Sequence, residues 1–284
     1  MAEPARHDRF PLFRDRLPVA LFTLYFAADL AVLRWATSWW LPVLWFGIGI
    51  IPKGWICSWN HHHQHLSVFR PAVLNRLLEV MYGFQTGVTS HAWFLHHVVG
   101  HHRNYLDQTK DESRWADDSG QQMSQFQYIL TTVTTAYTRA FEVGKRHPAQ
   151  QRIFVAMGLL QVALLTVAFA LRPYNAFFVL ALPMLVSLSV TVWATYFHHA
   201  GLHTDDQHAA SYNIMHAGYN LATGNLGYHT AHHMRHGLHW SLLPQYHAEI
   251  AEHIAPGLYR QPGIPFVWSD AEAVVEPEFG QATS

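Results

Sequence analysis

Four apolar stretches, each long enough to cross a membrane, constrain this chain more than any other feature. A helix needs roughly 20 mainly apolar residues to span the hydrocarbon core of a bilayer. Stretches of that kind lie at about residues 17–36, 41–59, 153–171 and 174–196. Charged residues make up only 13% of the chain, whereas soluble proteins carry about 25%. The sequence therefore predicts an all-α integral membrane protein with four transmembrane helices.

The links between these stretches predict two helical hairpins. The short segments TSWW and RPYN join the first pair and the last pair, so both links should lie on the same side of the membrane. Four Arg precede the first stretch and nine Lys or Arg lie between the second and the third, while each link region holds at most one. Because basic loops favour the cytoplasm, we expect the N-terminus, the middle segment and the C-terminal region there.

The segments outside the spans have weaker patterns. Residues 73–94 have a helical periodicity broken by Gly83 and Gly87, which predicts a helix in the membrane interface or dipping into the membrane. The stretch KDESRWADDSG predicts a solvated, charged loop, and QFQYILTTVTTAYTRAFEV predicts an amphipathic surface helix. Residues 256–284 should form an irregular tail.

Two charged residues lie inside the first hairpin. Asp29 lies 11 residues before Trp40, and Lys53 lies 12 residues after Leu41, so the two sit at equal depth. A lone charge in hydrocarbon is costly, and we expect these side chains to pair. A structural ion pair is one interpretation; the other places Lys53 on a substrate carboxylate or in the hydrogen-bond network of a site.

The 23 His, more than the 18 Lys and Arg together, fall largely into clusters. These clusters lie at or beyond the predicted ends of the spans, in NHHHQH, HHVVGHH, TYFHHAGLH and NLGYHTAHHMRHGLHW. None lies in the middle of a span. We therefore expect a histidine-rich helical cap in one layer at the cytoplasmic interface.

The spacing of these histidines indicates a site for two metal ions. The recurring patterns are His61-x3-His65, His97-x3-His101-His102 and His229-x2-His232-His233. Residues i and i+4 share a helix face, whereas adjacent residues point about 100° apart, so a pair such as His101 and His102 suits two neighbouring ions. Imidazole binds Fe, Zn, Cu and Ni. A catalytic zinc usually takes three protein ligands, fewer than the histidines present.

In these three patterns, their order and their placement around two hairpins, the chain resembles the integral-membrane fatty-acid desaturase/hydroxylase superfamily. The resemblance covers roughly residues 17–250 and implies a single membrane domain over residues 1–284. It also implies a non-haem di-iron centre of two Fe ions, O2 as co-substrate, and attack on an unactivated C–H bond of a fatty-acyl or lipid-like chain.

The resemblance implies nine metal ligands: His61, His65, His97, His101, His102, His199, His229, His232 and His233. His198 and His203 are rivals of His199 for the ninth position. Asn225 is expected near an iron through a water molecule, and Lys53 is the second catalytic candidate. Carboxylates expected to orient the ligands are Glu79, Asp107, Asp205 and Asp206, and the roles of His62, His63, His96 and His239 stay open.

The electron donor is expected to be a separate ferredoxin, rubredoxin or cytochrome. The sequence has no HPGG motif of a cytochrome b5 type, and its single Cys57 cannot form a cysteine set for an iron–sulfur cluster. The net charge of −1 does not suggest nucleic acid as a partner. The short chain suggests a bacterial inner-membrane protein.

Several reactions fit these residues. Desaturation is the favoured one, and a hydroxylase, a ketolase or an oxidative decarboxylase that forms a terminal alkene would use the same di-iron site. A zinc-dependent membrane hydrolase would leave most of the clustered histidines unexplained. A metal transporter or metal store would place ligands near the membrane midplane, where this chain has almost no His.

Overall fold

Ten α-helices lie within residues 13–264, the part of the chain that the computed structural model describes. They are α1 (Arg16–Trp35), α2 (Trp40–His65), α3 (Ala72–Thr86), α4 (Gln125–Gly144), α5 (Pro148–Leu171), α6 (Pro173–Ala176), α7 (Leu182–His199), α8 (Ala217–Thr223), α9 (His229–Met234) and α10 (Leu243–Ile250). Two π-helical segments, Phe94–Val99 and Phe177–Ala181, complete the main elements. These residues form no β-strand, so the predicted all-α class is confirmed. Most of the predicted tail lies outside them.

Four helical segments are long and apolar enough to cross a membrane, as predicted. They are Phe13–Trp35, Trp40–His65, Pro148–Leu171 and Pro173–His199, the last running through α6, the second π segment and α7. The second span continues six residues beyond its predicted end near residue 59, and its last turns carry the first histidine pattern. The third begins at Pro148, because proline is well suited to the first turn of a helix.

The links of the two hairpins touch each other. The guanidinium of Arg172 donates to the carbonyl of Arg34 at 2.8 Å. The amide of Asn175 donates to the carbonyls of Leu33 and Ala36, each at 3.0 Å. These contacts satisfy carbonyl groups that the end of α1 leaves without a helical donor. Both links therefore lie on the same side of the membrane, as expected, and the histidine-bearing ends of α2 and α7 lie on the other.

The helix α3 packs against both α2 and α7. It runs without interruption through Gly83, so the predicted break at that residue is wrong. A Cβ at Gly83 would lie 2.7 Å from Oε1 of Gln161, which shows that this glycine permits a close approach of α5. Gly87 does end α3, in the left-handed conformation with φ of 70°.

The predicted amphipathic helix is α4. Ser124 caps its N-terminus by accepting a hydrogen bond from the backbone N–H of Gln127 at 3.2 Å. Its buried side includes Thr132, Ala136 and Ala140, spaced by four residues as one helix face requires. This face packs on α7 and on the first π segment, so α4 supports the segment that carries the second histidine pattern.

The predicted ion pair between Asp29 and Lys53 is confirmed. The Lys53 ammonium lies 2.6 Å from one carboxylate oxygen of Asp29, and the indole N–H of Trp45 donates to the other at 2.8 Å. Both charged side chains are buried, with 1% or less of their surface exposed. A buried charge is tolerated when it is paired and hydrogen-bonded, and here the pair joins α1 to α2.

Removing one partner of this pair should destabilise the protein. In Lys53→Met the Asp29 carboxylate would stay buried without its counter-charge, and breaking a buried pair in this way costs about 3–5 kcal/mol. The double variant Asp29→Leu/Lys53→Met leaves no charge behind and should unfold later than either single variant. Thermal unfolding in detergent micelles measures this. A Lys53→Met variant as stable as the parent protein would contradict the structural role.

The end of α3 gives a second stability test. In Gly87→Ala the new Cβ would collide with the backbone carbonyl of Met184, and the positive φ would add strain. We expect a large loss of folded protein. Gly158→Ala is the matched control, because a Cβ there meets nothing within 4 Å and alanine in a helix is favoured by up to about 1 kcal/mol. Equal thermal midpoints for the two variants would refute this account of Gly87.

Candidate metal centre

Histidines from four parts of the fold meet at the ends of α2 and α7. Five of them form the first histidine group: His61, His65, His97, His102 and His232. Three more form the second histidine group: His101, His199 and His233. In each group the candidate ligand nitrogens all lie within 4.8 Å of one another. Eight of the nine residues implied by the resemblance are thus brought together in two groups.

Two pairs of adjacent histidines divide between the groups. His102 and His232 belong to the first histidine group, and their chain neighbours His101 and His233 belong to the second. The side chains of consecutive helical residues diverge by about 100°. Each pair therefore contributes one imidazole to each histidine group. The expectation that such pairs serve two neighbouring positions agrees with this geometry.

The second histidine pattern is organised by a π-helical turn, which the sequence analysis did not anticipate. The backbone N–H of His102 donates to the carbonyl of His97 at 2.9 Å, a bond that spans five residues. Residues five apart therefore share a face here, and the Nε2 atoms of these two rings lie 3.0 Å apart. His97 falls in a different group from His101, although the two rings, four residues apart along the chain, stack at a centroid distance of 4.9 Å.

His229 lies beside the second histidine group. Its Nε2 is 3.0 Å from Nε2 of His199, and its ring stacks on that of His198 at a centroid distance of 3.9 Å. His232, three residues later on α9, belongs to the first histidine group. The predicted i and i+3 pair therefore also divides between the two positions.

The ring nitrogens of the first histidine group converge in a way that fits a cation. Nε2 of His232 lies 2.9 Å from Nε2 of His61 and 3.2 Å from Nε2 of His102. Both ring nitrogens of His65 and of His233 are buried without a hydrogen-bond partner. Buried polar atoms normally have a partner, and imidazole nitrogens bind transition metals. The residues present therefore fit metal ions at both groups.

The charge state of these rings also fits metal binding. Burial, followed by the neighbouring imidazoles, holds the pKa of His97, His102, His229, His232 and His233 well below the usual range of histidine. These rings are consequently uncharged at neutral pH. An uncharged imidazole keeps a nitrogen lone pair available, and ligation requires this form.

Two ligand candidates are held by hydrogen bonds on the side away from the groups. Nδ1 of His101 lies 2.9 Å from each carboxylate oxygen of Asp111, whose side chain is 1% exposed. Nδ1–H of His199 donates to the carbonyl of Ala210 at 2.9 Å. Such bonds fix the tautomer and the direction of the ring, and they raise the basicity of the other nitrogen. In both residues Nε2 is left to face the second histidine group.

Asp111 is a residue that the sequence analysis missed. It belongs to KDESRWADDSG, which was predicted to be solvated, yet Asp111 and Trp115 are buried. The carboxylates that were predicted to orient the ligands do other things. Asp107 pairs with Lys110 at the surface, Asp205 is exposed, Asp206 contacts His208 and Glu79 contacts His63. A carboxylate ten residues after His101 carries no distinguishing sequence signal.

His62 and His63, left open by the sequence, make bonds outside the two groups. Nε2–H of His62 donates to the carbonyl of Thr223 at 3.2 Å, which ties α2 to α8. Nε2–H of His63 donates to Glu79 at 3.2 Å. Burial would raise the pKa of Glu79, but hydrogen bonds from His63 and Ser90 outweigh it and hold that pKa below its ordinary value. Both histidines anchor the end of α2.

The other histidines whose roles the sequence left undecided also make defined contacts. Nδ1–H of His198 donates to the carbonyl of Tyr212 at 2.8 Å, and His203 is exposed and rests on the ring of Trp115. These positions favour His199 over both rivals. His239 bonds to Asp15 at 3.1 Å. His96 is buried beside Trp93, with neither ring nitrogen hydrogen-bonded.

The two catalytic candidates lie outside the histidine groups. Asn225 has a positive φ of 64°, and its side-chain amide donates to the carbonyl of Trp240 at 3.2 Å. Lys53 is bound by Asp29 within the hairpin, which supports the structural interpretation of that lysine. Their catalytic roles stay predictions.

A narrow slot of about 40 Å³ lies between α2 and α7 and reaches the histidines. His61, His97 and His229 are among the residues that line it. Its walls are mainly apolar and come from Gly54, Cys57, Ser58, Val190, Thr191, Ala194, Thr195, His198 and Leu226. The slot connects the apolar interior of the spans to the candidate metal centre.

The profile of a known family, Fatty acid desaturase, matches residues 12–263. The chain belongs to the fatty acid desaturase family. This is an oxidoreductase family, so the protein is an enzyme of that general class and the predicted superfamily is confirmed. Neither a search of the curated proteins nor one of the solved structures found a significant match.

Loss of Asp111 should weaken metal binding by this fatty acid desaturase family member at the second histidine group. Changing a carboxylate that orients a metal-bound histidine typically lowers metal affinity 10–100-fold. When a chelator is titrated into the purified proteins, we expect Asp111→Asn to lose metal at a lower chelator concentration than the parent protein. Because only the second histidine group is weakened, the variant should at that point retain about half of the parent metal content. Elemental analysis measures the retained metal. Asp107→Asn, a change at an exposed carboxylate, is the control, and identical retention by both variants would contradict the role of Asp111.

Proposed function

We propose that the protein is a membrane-bound non-haem di-iron oxidoreductase that desaturates a fatty-acyl chain, with O2 as co-substrate. The observation that carries the proposal is the pair of converging histidine groups. The adjacent residues His101 and His102, and likewise His232 and His233, contribute one ring to each group, and the groups contain buried ring nitrogens without a hydrogen-bond partner. Membership of the fatty acid desaturase family supports the same reaction class. One iron would be held by the first histidine group, and the other by the second together with His229.

The donor set supports two iron ions over a single zinc. The first histidine group alone offers five nitrogens, whereas a zinc site is almost always four-coordinate and a catalytic one uses three protein ligands. When bound, a di-iron centre supplies the oxidising power, from O2 and external electrons, to cleave an unactivated C–H bond. The protein must hold the substrate in place and keep water out.

The slot between α2 and α7 supports an acyl chain as the substrate. Its apolar walls would exclude water from the methylene groups and direct the chain toward His61, His97 and His229. A volume of about 40 Å³ is too small for a long chain, so entry requires α2 and α7 to separate. Gly54 has no side chain and Ala194 has only a methyl group, so few atoms at these two positions hold α2 and α7 together along the slot.

The position of Lys53 bears on which oxidation occurs. A free carboxylate near Lys53 was the reason to consider oxidative decarboxylation. Because Asp29 already neutralises this ammonium, the lysine offers no open site for a substrate carboxylate. Desaturation is therefore preferred over decarboxylation, with hydroxylation and ketone formation as further products that the same centre could yield.

We further propose that the protein lies in a bacterial inner membrane with both termini and the histidine groups on the cytoplasmic side. The four spans and the shared side of the two links support an even number of crossings. The distribution of Lys and Arg supports the orientation. A ferredoxin, rubredoxin or cytochrome would then deliver electrons from the cytoplasm.

The test is to express the chain in cells and to identify their fatty acids and volatile products by mass spectrometry. The expected result is an internal double bond that is absent with His232→Ala and present with His253→Ala, a control at an exposed histidine. A terminal alkene or a hydroxy acid would replace desaturation by decarboxylation or hydroxylation. Identical products from the parent and His232→Ala, or one zinc per purified chain, would refute the di-iron proposal.

A further inference from the structure

His236 occupies an unusual place beside the candidate metal centre. Its side chain is exposed, yet its ring centroid lies 5.3 Å from that of His102 and 5.9 Å from that of His65. Both neighbours belong to the first histidine group. Of the histidines in the segment NLGYHTAHHMRHGLHW, His236 is the one at the surface. It touches two members of the first histidine group, so it connects the solvent to the buried rings.

The surface around His236 carries positive charge. Arg235 is exposed, and its guanidinium rests on the ring of Tyr246 at 4.0 Å from the centroid. Arg103 is exposed as well. Arg103 directly follows His102, whose ring centroid lies 5.3 Å from that of His236. Among residues 13–264 no carboxylate forms a salt bridge with either arginine, so both charges face the solvent.

The slot and His236 contact different members of the first histidine group. The slot is lined by His61 and His97, whereas His236 touches His65 and His102. The second histidine group is covered by Tyr105, whose ring lies 4.4 Å from that of His233. A protein docked over His236 would therefore reach the first histidine group without obstructing the substrate.

We propose that Arg103 and Arg235 dock an acidic one-electron carrier protein over His236, and that the His236 ring conducts its electrons to the first histidine group. The proposal rests on the proposed di-iron function. At each docking the carrier loses one electron and the metal centre gains one, and no atom is transferred. Two dockings supply two electrons. These two electrons, two protons from the solvent and two hydrogen atoms from the substrate together reduce O2 to two water molecules.

Docking and conduction are separable by mutation. Opposite charges on a rim increase the association rate and make binding salt-dependent. Arg103→Gln/Arg235→Gln should therefore weaken binding of a reduced plant-type ferredoxin, an acidic one-electron carrier, by about tenfold and reduce its salt dependence. Biolayer interferometry on the iron-loaded protein in detergent measures this. Arg152→Gln, at another exposed arginine, is the control and should bind like the parent protein.

His236→Leu tests conduction. It should bind ferredoxin with nearly the parent Kd, but its iron should be reduced by ferredoxin about tenfold more slowly in anaerobic stopped-flow experiments. Reduced methyl viologen, a small reductant that needs no docking surface, should reduce the variant and the parent protein at the same rate. Slower reduction by both reductants would indicate a structural role for His236 and overturn its role in conduction.

The outcomes also separate this proposal from the proposed function. Parent-like ferredoxin binding by the double arginine variant would overturn docking, and parent-like reduction of His236→Leu by ferredoxin would overturn conduction. In both cases a desaturase that retains two irons and accepts electrons from methyl viologen would keep its proposed function. A parent protein that binds no iron would instead refute the proposed function, and this proposal with it.

Discussion

The interior of this protein depends on gathering uncharged imidazoles whose nitrogens face one another. Nε2 of His61 and of His232 lie 2.9 Å apart, and similar approaches recur between His97 and His102 and between His199 and His229. Two neutral rings at such a distance can form only one hydrogen bond with each other. Several buried ring nitrogens of the cluster therefore have no hydrogen-bond partner within the protein. Metal ions would satisfy these nitrogens, and the fold places α2, α7, α9 and the first π segment where their ends can supply them.

The membrane half of the molecule determines the register of those helix ends. The Asp29–Lys53 pair sets the position of α1 along α2, and the contacts of Arg172 and Asn175 with the end of α1 set the last span against the first hairpin. A shift of one residue along a helix would move a side chain by about 1.5 Å and turn it by about 100°. The polar contacts far from the histidines therefore help to keep His61 and His199 in position.

The two proposals assign different surfaces to the substrate and to the electrons. In the first proposal an acyl chain would enter the apolar slot between α2 and α7, two helices that are long and apolar enough to cross a membrane. In the second proposal an acidic redox partner would dock at the charged surface near His236. Such a division suits an enzyme whose two partners come from phases that do not mix, because each can bind without displacing the other.

The sequence by itself determined the four spans, the hairpin arrangement, the Asp29–Lys53 pair and the family. The first three follow from local composition or from the distance along a helix, which a periodic backbone converts directly into position, whereas the family was indicated by the resemblance that the three histidine patterns carry. The same spacing indicated that His101 and His102 would point toward different positions.

Only the tertiary structure decided which histidines share a group, because a π turn changes the residues that lie on one face. It also decided that Gly83 allows a close helix approach, that Asp111 holds His101, and that His236 touches the first histidine group. These are contacts between segments distant in the chain or on irregular backbone. Their geometry depends on how the helices pack, and no periodic pattern in the sequence records it.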